Sequence, residues 1–306
     1  MSIINGIEKT QKLILYGSTG LLGSRIRELL RDKFKIVGPP HSHLDLTNKK
    51  DVLRHLKDVM PNKVIYTAGV TKIDYAQQNP KEAFKMNALV VDFIAKSCAK
   101  LNIPVYYIST DAVFDGKTTN KSFKEIDSTE PISIYGKSKL MGERVVLDAS
   151  GLNCVARTVM IYSANFTHRK DFARAAYESL SNGMPFAGII DQEVNPTYVD
   201  DIVNAISVLI ENNAKGIYHV ASIDHLTNYQ FVVKISEAFG FDKRLIKKTT
   251  FDKFFSNKKA PRSKYSALDT AKFRKKFGEN ILKTTSKSLN EFKKQISMLE
   301  SSPIDI

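Results

Sequence analysis

The sequence predicts an α/β protein with a doubly wound parallel sheet and a smaller C-terminal α/β substrate-binding lobe. Three observations predict this architecture. Short apolar runs alternate with amphipathic helical segments through the first half of the chain. A glycine-rich turn follows the first apolar run, and polar residues follow the fourth. Beyond Gly151 the predicted elements become shorter and more mixed, which indicates a second, smaller region.

The first predicted strand, residues 12–16, leads into the glycine-rich segment GSTGLLG, residues 17–23. Its glycines follow the spacing G-x-x-G-x-x-G, and an amphipathic helix is predicted over residues 21–33. Glycine lets the backbone turn tightly and approach a pyrophosphate, which then lies against the amides and the positive dipole end of the helix. A plain strand–helix turn would not need three glycines. The segment therefore predicts a dinucleotide-binding turn of the Rossmann type.

The second predicted strand, residues 34–38, has no acidic residue just after its end. In NAD-preferring folds a carboxylate at this point binds the ribose 2′-hydroxyl. Here the chain continues with two prolines, His41, Ser42 and His43. Without the carboxylate a 2′-phosphate is not repelled, and Arg25 or the histidines could help to bind it. We therefore expect NADPH as the cofactor, with NADH as the alternative.

Two further segments are candidates for cofactor contact. Asp45 precedes a helix predicted over residues 49–59 and could cap this helix or hydrogen-bond the adenine. The third predicted strand begins at Lys63 and runs into a loop of small residues. In that loop, Ala68 and Gly69 would let a cofactor lie against the backbone.

A candidate catalytic group surrounds the end of the fourth predicted strand, residues 105–109, which follows a helix predicted over residues 87–100. Thr110 lies just past the carboxyl end of this strand, where ligands bind in open α/β sheets. A helix is predicted after the next proline, and it places Tyr135 and Lys139 four residues apart on one face. The three side chains are thus expected to meet.

These three residue types suit proton donation to a carbonyl oxygen. An unperturbed tyrosine has a pKa of about 10, so a nearby cation such as Lys139 would lower the cost of losing its proton. Thr110 could donate a hydrogen bond to the same substrate oxygen. The group fits hydride transfer to a carbonyl, with Tyr135 protonating the developing alkoxide. A Tyr-x-x-x-Lys spacing alone is common by chance, so the hypothesis depends on the glycine-rich turn upstream.

Charge and cysteine content exclude few classes of function. The net charge is +14, and residues 241–295 carry 17 Lys or Arg against 5 Asp or Glu. This segment has none of the familiar nucleic-acid-binding signatures, so a solvated lysine-rich surface, or affinity for a diphosphate-bearing substrate, explains the charge better than nucleic acid does. Cys98 and Cys154 lack metal-ligand spacing, and we expect buried free thiols and no metal site.

The chain is expected to divide into an N-terminal extension (residues 1–11), a dinucleotide-binding domain (12–163) and a region that is mainly the substrate-binding lobe (164–300). No apolar run reaches the roughly 18 residues of a membrane span, and the N-terminus lacks the layout of a signal peptide. We therefore expect a cytoplasmic protein without membrane association. Further elements are predicted as a strand within 153–162, a helix at 171–181, a strand at 186–190, a helix at 199–212, a strand at 216–220 and a helix at 229–239.

The order of these motifs resembles the extended short-chain dehydrogenase/reductase superfamily and, more narrowly, the dTDP-4-dehydrorhamnose reductase family. The matching segments are GSTGLLG, DLT, AGVTKID, STDAVFDG, YGKSKLMGE, ARTVMIY, DQEVNPTYVDDI, YHVAS and APRSKYSALDT, over roughly residues 12–278. The resemblance implies that Thr110, Tyr135 and Lys139 form a catalytic triad, in which Lys139 also holds the nicotinamide ribose. The cofactor contacts that it implies are Gly17, Thr19, Gly20, Leu22, Gly23, Asp45, Leu46, Ala68, Gly69, Thr71, Tyr135 and Lys139.

Substrate contacts are implied at Thr110, Asp111, Tyr135, Met160 and Arg262. Met160 stands where related enzymes often carry a tryptophan, so a flexible thioether replaces a ring that would pack against the sugar. Arg262 matches a segment that reaches back to the substrate lobe, although it could equally be a surface arginine that caps the following helix.

The resemblance implies reduction of the 4-keto group of a 4-keto-6-deoxy nucleotide sugar, with dTDP-4-dehydrorhamnose giving dTDP-L-rhamnose for surface polysaccharide. Reduction of a different nucleotide sugar is one alternative. A non-catalytic role is another, because the regulatory subunit of methionine adenosyltransferase resembles the same family. A homodimer stays open as the assembly, and a nucleic-acid partner is not expected.

Overall fold

The structure is a computed structural model that describes residues 10–117, 122–165 and 170–301. Most of the predicted N-terminal extension therefore lies outside the described residues. The strands, in chain order, are β1 (Lys12–Tyr16), β2 (Lys35–Val37), β3 (Lys63–Tyr66), β4 (Val105–Thr110), β5 (Cys154–Thr158), β6 (Ile161–Tyr162), β7 (Phe186–Ile189), β8 (Glu193–Val194), β9 (Thr197–Tyr198), β10 (Gly216–His219), β11 (Leu226–Thr227) and β12 (Ile246–Thr249).

Helices cover both faces of the sheet and build most of the lobe. In chain order they are α1 (Leu21–Leu29), α2 (Lys49–Val59), α3 (Ile73–Gln78), α4 (Pro80–Phe84), α5 (Val90–Ala99), α6 (Ile134–Ala149), α7 (Phe172–Ser181), α8 (Val199–Glu211), α9 (Asn228–Phe239), α10 (Phe251–Phe255), α11 (Ala271–Phe277) and α12 (Thr285–Ser301). A π-helical turn, Lys85–Leu89, joins α4 to α5.

The central sheet has six strands in the order β10-β5-β4-β3-β1-β2, and every neighbouring pair is parallel. The chain leaves β1 towards β2 on one side and then crosses to β3 on the other. The strand order therefore switches between β1 and β3, and ligands bind outside the carboxyl ends of the strands at such a point. This confirms the predicted doubly wound parallel sheet.

Alternating side chains of β1 pack into two different hydrophobic clusters, one on each face of the sheet. Leu13 and Leu15 lie in the cluster that includes residues of α1 and α8, whereas Ile14 and Tyr16 lie in the cluster that includes residues of α2 and α5. Because a strand points successive side chains to opposite faces, both faces must be covered. This requirement explains why the run KLILY is apolar on both sides.

Strand β10 belongs to the central sheet and helix α8 packs beside α1, although the sequence analysis placed both elements in the lobe. β10 pairs with β5 as an edge strand, from Gly216 opposite Cys154 to His219 opposite Arg157. α8 packs beside α1, where Asp200 forms an ion pair with Arg25. A strand pattern does not specify its pairing partner, so the local sequence could not assign this strand to the sheet. A boundary at residue 163 therefore does not separate the sheet from the lobe.

The lobe contains small pairs of strands and helices α7, α9 and α12. β8 pairs antiparallel with β11, β12 pairs parallel with β7, and β6 pairs parallel with β9. Helix α9 begins with a capping box in which Thr227 and Gln230 bond each other's backbone N–H groups. The elements after residue 240 were not predicted from the sequence. No helix among the described residues is long and apolar enough to cross a membrane.

Several predicted helix bounds differ from the observed ones. α1 ends at Leu29 and not at residue 33, and the helix predicted to begin at Asn87 includes the π-helical turn before α5. α2 has the predicted bounds, but its N-cap is Asn48, whose side chain accepts from the N–H groups of Lys50 and Asp51. Asp45 therefore does not cap α2.

Candidate active site

A cavity of about 250 Å³ opens at the carboxyl end of β4, between the sheet and the lobe. It brings together most of the predicted catalytic and substrate-binding residues. Its lining from the sheet side includes Thr110, Asp111 and Tyr135, and from the other side Met160, Gln192, Asn228, Arg262 and Ser266. The predicted substrate contacts at residues 110, 111, 135, 160 and 262 thus all face one space.

Two glycines of α6 let this helix lie close to the loops that surround the cavity. A Cβ atom at Gly136 would stand 2.0 Å from the carbonyl oxygen of Ala112, and one at Gly142 would stand 2.2 Å from that of Asn87. The helix starts at the N-cap Ser133, whose Oγ accepts from the N–H of Gly136. This close approach places the half-buried Tyr135 at the end of β4.

Lys139 lies buried beneath the cavity. Its Nζ donates to the carbonyl oxygen of Ile108 at 2.5 Å and stands 3.9 Å from the ring centroid of Tyr107. Burial lowers the pKa of Lys139 to about 7, although the negative charge of Glu143 acts in the opposite direction. In the ligand-free protein the cationic role predicted for this lysine is therefore strongest below neutral pH.

We expect Lys139→Met to raise the stability of the ligand-free protein most at low pH. The unfolded chain keeps a lysine protonated up to about pH 10.4, whereas the folded chain releases the proton near pH 7. Between these pH values the folded chain holds fewer protons than the unfolded chain. The free energy of unfolding of the wild type should therefore rise with pH over this range. Thermal melting from pH 6 to pH 10 should show the advantage of the variant shrinking, and a constant difference would contradict this account. Lys137→Met, an exposed position on α6, is the control.

The hydroxyl of Thr110 is held by its neighbour Asp111. Thr110 Oγ1 donates to Asp111 Oδ1 at 2.8 Å and accepts from the N–H of Ala112 at 3.2 Å. Removal from water raises the pKa of Asp111, while the hydroxyls of Ser266 and Thr110 act in the opposite direction. Thr110 must therefore rotate its proton away from Asp111 before it can donate to a substrate oxygen.

A buried ion pair below Lys139 was missed by the sequence analysis. Glu143, one turn after Lys139, accepts from Arg157 Nε at 2.9 Å and from its Nη2 at 2.6 Å. Ser109 Oγ donates to the same carboxylate at 2.5 Å. With Ser109, the pair joins α6 to β4 and β5 directly behind the predicted catalytic residues. The glutamate at the end of YGKSKLMGE was the available signal.

Asn87 is a second residue whose role the sequence did not indicate. It lies in the π-helical turn, is fully buried, and both accepts from the N–H of Val70 (2.9 Å) and donates to its carbonyl (3.0 Å). Its amide also donates to Ser138 Oγ at 2.9 Å. One side chain thus joins the loop after β3 to the helix that carries Tyr135. Such π-helical turns often occur at functional sites.

The turn after β1 is tightly packed and leads into the N-terminus of α1. Gly17 has φ +89°, and a Cβ atom there would stand 2.5 Å from the backbone nitrogen of Ala68. Gly20, the N-cap of α1, leaves the first N–H groups of this helix without a side-chain cap from any described residue. Those amides and the positive helix end suit an anion. Gly17, Thr19, Gly20, Leu22 and Gly23 therefore fit the predicted cofactor role.

We expect Gly23→Ala to abolish measurable dinucleotide binding. A Cβ atom at Gly23 would stand 2.0 Å from the carbonyl oxygen of Gly17, so α1 must shift away from the turn. Fluorescence titration with NADPH measures the effect, with circular dichroism as a check of folding. Gly151→Ala is the matched control, since a Cβ atom there meets no described atom within 4 Å. Unchanged affinity in Gly23→Ala would contradict the assigned turn.

The remaining predicted cofactor residues lie on two loops, one after β3 and one before α2. Ala68 and Gly69 follow β3 beside Gly17, and the exposed Thr71 follows them. Asp45 is exposed and accepts from the N–H and hydroxyl of Thr47, which lowers its pKa, and Leu46 is half-buried beside it.

Arg25 does not fit the role of a 2′-phosphate ligand that the sequence suggested. It is buried, and its Nε and Nη2 donate to the two carboxylate oxygens of Asp200 at 2.6 and 2.7 Å. Glu28 also contacts its Nη1 at 2.7 Å. His41 and His43 are exposed after β2 and stay available for that role.

Arg262 is held by Asp74 at the edge of the cavity. Its Nη2 and Nη1 donate to the two Asp74 oxygens at 2.8 and 3.1 Å, and its guanidinium stands 5.0 Å from the Phe255 ring centroid. Arg262 thus does not serve as a cap of the following helix.

Met160 also lines the cavity, and its backbone is unusual. Its φ is +42°, in the left-handed region that residues other than glycine rarely adopt. Such backbone strain often occurs at functional sites.

Both cysteines are buried free thiols as expected, and burial raises the pKa of each to about 12. Among the described residues, no group of three or more His, Cys, Asp or Glu side chains is arranged to hold a metal ion. The absence of a metal site stays a prediction for the whole chain.

A glycine-rich turn after β1 and a Thr–Tyr–Lys group beside β4, on a doubly wound parallel sheet, define a protein of the extended short-chain dehydrogenase/reductase class. The family model described as "RmlD substrate binding domain" matches residues 11–297. The chain belongs to this family, and the resemblance to dTDP-4-dehydrorhamnose reductases is confirmed.

Known relatives include reductases and a subunit of a methionine adenosyltransferase. The dTDP-4-dehydrorhamnose reductase of Mycobacterium tuberculosis is 29% identical over 271 residues, which cover 86% of this chain and 86% of that protein. The methionine adenosyltransferase 2 subunit beta of Xenopus tropicalis is 26% identical over 243 residues, which cover 75% of this chain and 72% of that protein. The crystal structure of the dTDP-4-dehydrorhamnose reductase of Bacillus anthracis in complex with NADP has a TM-score of 0.86, with 25% identity over 94% of this chain and 100% of that chain.

Proposed function

We propose that the protein is an NADPH-dependent reductase of a 4-keto-6-deoxy nucleotide sugar, most specifically of dTDP-4-dehydrorhamnose, which it converts to dTDP-L-rhamnose for surface polysaccharide. The observation that carries the proposal is the cavity at the end of β4. It exposes Thr110 and Tyr135 to one space above the buried Lys139. Family membership supports the choice of substrate.

Each residue of the group has a role that follows from its position. The reduced nicotinamide supplies the hydride for the carbonyl carbon. Tyr135 donates its phenolic proton to the oxygen that becomes an alkoxide, and Thr110 donates a hydrogen bond to the same oxygen. The positive charge of Lys139 favours the tyrosinate that remains, because an opposite charge nearby stabilises the ionised form. The buried position of Lys139 strengthens this interaction.

The cofactor is held, in this proposal, by the turn of residues 17–23, by the loop with Ala68, Gly69 and Thr71, and by Asp45 and Leu46 near the adenine. Tyr135 and Lys139 contact the nicotinamide ribose. The close backbone packing that Gly17 and Gly23 permit within the turn supports this arrangement. NADPH is preferred because no carboxylate follows β2 directly, and NADH stays the alternative.

The proposal extends to organisation and location. Residues 12–163 supply most of the dinucleotide-binding region, and residues 164–300 form mainly the lobe that closes over the sugar nucleotide, apart from α8 and β10. A cytoplasmic location fits the two buried free thiols. A homodimer stays open as the assembly, and no nucleic-acid or membrane partner is needed.

The first test follows NADPH oxidation at the nicotinamide absorbance, with dTDP-4-dehydrorhamnose generated in the cuvette by a dehydratase and an epimerase. Rapid oxidation that depends on the epimerase supports the rhamnose assignment and shows that Met160 is tolerated beside the sugar. If NADPH is oxidised only with another keto sugar, the protein is still a reductase, but its substrate is not dTDP-4-dehydrorhamnose.

A regulatory role is the second candidate, since one relative is a subunit of methionine adenosyltransferase. It predicts cofactor binding without any carbonyl-dependent oxidation across a panel of keto sugars. The presence of Thr110, Tyr135 and Lys139 together favours catalysis.

A further inference from the structure

Two amide side chains form a short hydrogen-bonded chain at the lobe side of the cavity. Gln192 stands just before β8, and Asn228 stands just after β11. Because these strands pair antiparallel with Glu193 opposite Thr227, the two amides come next to each other. Both residues line the cavity that contains Thr110 and Tyr135, and both are more than nine-tenths buried.

The backbone carbonyl of Ser263 fixes the orientation of both amides. Gln192 Nε2 donates to this carbonyl at 3.2 Å, and a carbonyl oxygen can only accept. Gln192 Oε1 must then face Asn228, whose Nδ2 donates to it at 2.9 Å. Turning either amide over would bring two acceptors or two donors together. The carbonyl oxygen of Asn228 therefore stands at the end of the chain.

That terminal oxygen, Asn228 Oδ1, is buried and has no hydrogen-bond partner among the residues that the structure describes. A buried acceptor without a donor destabilises the protein, because the loss of its hydration is not compensated by a hydrogen bond. Donation along the amide chain also polarises the last carbonyl and makes it a better acceptor. The site is thus prepared for a ligand that brings a hydrogen-bond donor.

We propose that Asn228 is a specificity-determining residue whose Oδ1 accepts a hydrogen bond from a ring hydroxyl of the sugar, an assignment that rests on the proposed function. The reacting carbonyl lies at C4, beside Thr110 and Tyr135, and C6 of the sugar carries no hydroxyl. The ring hydroxyls that remain are those at C2 and C3. Asn228 lines the same cavity as the catalytic side chains, so it accepts from one of these two.

The unpaired oxygen of Asn228 makes the site discriminate between sugars with and without the ring hydroxyl, in addition to providing a contact. A site built to bond a substrate hydroxyl discriminates strongly against an analogue that lacks it, because the buried polar group is then left unpaired. An amide oxygen without a proton also disfavours ligands that present an acceptor at this point. Asn228 thereby selects sugars that keep the hydroxyl, independently of the residue at position 160.

The experiment measures binding to the NADP⁺-loaded protein by calorimetry, with four ligands: dTDP-L-rhamnose, its 2-deoxy analogue, its 3-deoxy analogue, and dTDP. For the wild type we expect one deoxy analogue to bind about 10- to 100-fold more weakly than dTDP-L-rhamnose, which is the usual penalty for leaving a buried acceptor unpaired. For Asn228→Ala, that discrimination should vanish while dTDP affinity stays unchanged. Tyr229→Phe, next in the chain but outside the cavity lining, is the matched control.

The comparison of ligands within one variant removes any general effect on folding, which NADPH affinity and thermal melting also monitor. Equal weakening of all four ligands in Asn228→Ala, or weakening of dTDP itself, overturns the assignment, since Oδ1 would then serve the nucleotide or the structure alone. Unchanged binding of all ligands overturns it too.

The two proposals fail in different ways. If the wild type reduces the keto sugar but Asn228→Ala still binds the deoxy analogue more weakly than dTDP-L-rhamnose, only the role proposed for Asn228 is disproved. If the wild type binds these sugars with the expected discrimination but never oxidises NADPH with a keto sugar, only the proposed reductase activity is disproved. If the wild type binds none of the sugars, both the reductase activity and the role of Asn228 are disproved.

Discussion

Tyr135→Phe should lower kcat by about 100- to 10,000-fold, since this is the range that a positioned general acid contributes. The variant loses only the phenolic oxygen, so packing of the half-buried ring beside β4 is retained. The affinity for NADPH should fall only slightly, because the variant loses one proposed contact to the nicotinamide ribose while Lys139 and the turn after β1 are unchanged. Steady-state kinetics with the keto sugar, together with fluorescence titration of the cofactor, measure the two quantities separately.

Tyr177→Phe is the control for this substitution. Tyr177 lies on α7, and its hydroxyl donates to Glu300 outside the cavity. Its removal should leave kcat unchanged. Near wild-type turnover in Tyr135→Phe, with the cofactor still bound, would falsify the proton-donor assignment.

Arg157→Met should destabilise the protein by about 3–5 kcal/mol, which is the usual cost of removing one partner of a buried ion pair. The side chains of Arg157 and Glu143 are only 3% and 2% exposed, so the remaining carboxylate cannot be solvated by water. Ser109 would be its sole remaining partner among the hydrogen bonds described here. Urea unfolding followed by circular dichroism measures the loss.

The double variant Arg157→Met/Glu143→Leu should recover most of this stability, because replacing both partners by apolar residues leaves no buried charge. Lys96→Ala is the control, since its pair with Asp92 on α5 is exposed and such pairs contribute at most about 1 kcal/mol. If Arg157→Met cost no more than Lys96→Ala, the ion pair would have no structural role.

The parts of the site that local spacing determines were predictable. Tyr135 and Lys139 are one helical turn apart, and the glycines of residues 17–23 stand between a strand and a helix. Each pattern lies within a few residues, so the local sequence carries it. The parallel sheet was predictable for the same reason, since its strands are apolar on both faces.

Pairings between distant residues were not predictable. Arg25 and Asp200 are 175 positions apart, and Arg262 and Asp74 are 188 apart. A single arginine shows no sign of its partner, so Arg25 was named beside the histidines as a possible ligand of the 2′-phosphate, although its guanidinium is paired with Asp200. The depressed pKa of Lys139 was hidden for a similar reason, because burial depends on how α6 packs and not on the spacing along it. The membership of β10 in the sheet depends on tertiary pairing as well.

The shared core of sheet and lobe has a consequence for how the protein is made. Leu289, Phe292 and Ile296 of α12 belong to the same hydrophobic cluster as Leu13 and Leu15 of the first strand. The side of the first strand that carries Leu13 and Leu15 therefore gains part of its packing only after α12 has been synthesised. Domains usually fold in order during synthesis, whereas this cluster joins residues that lie far apart in the chain and is completed late.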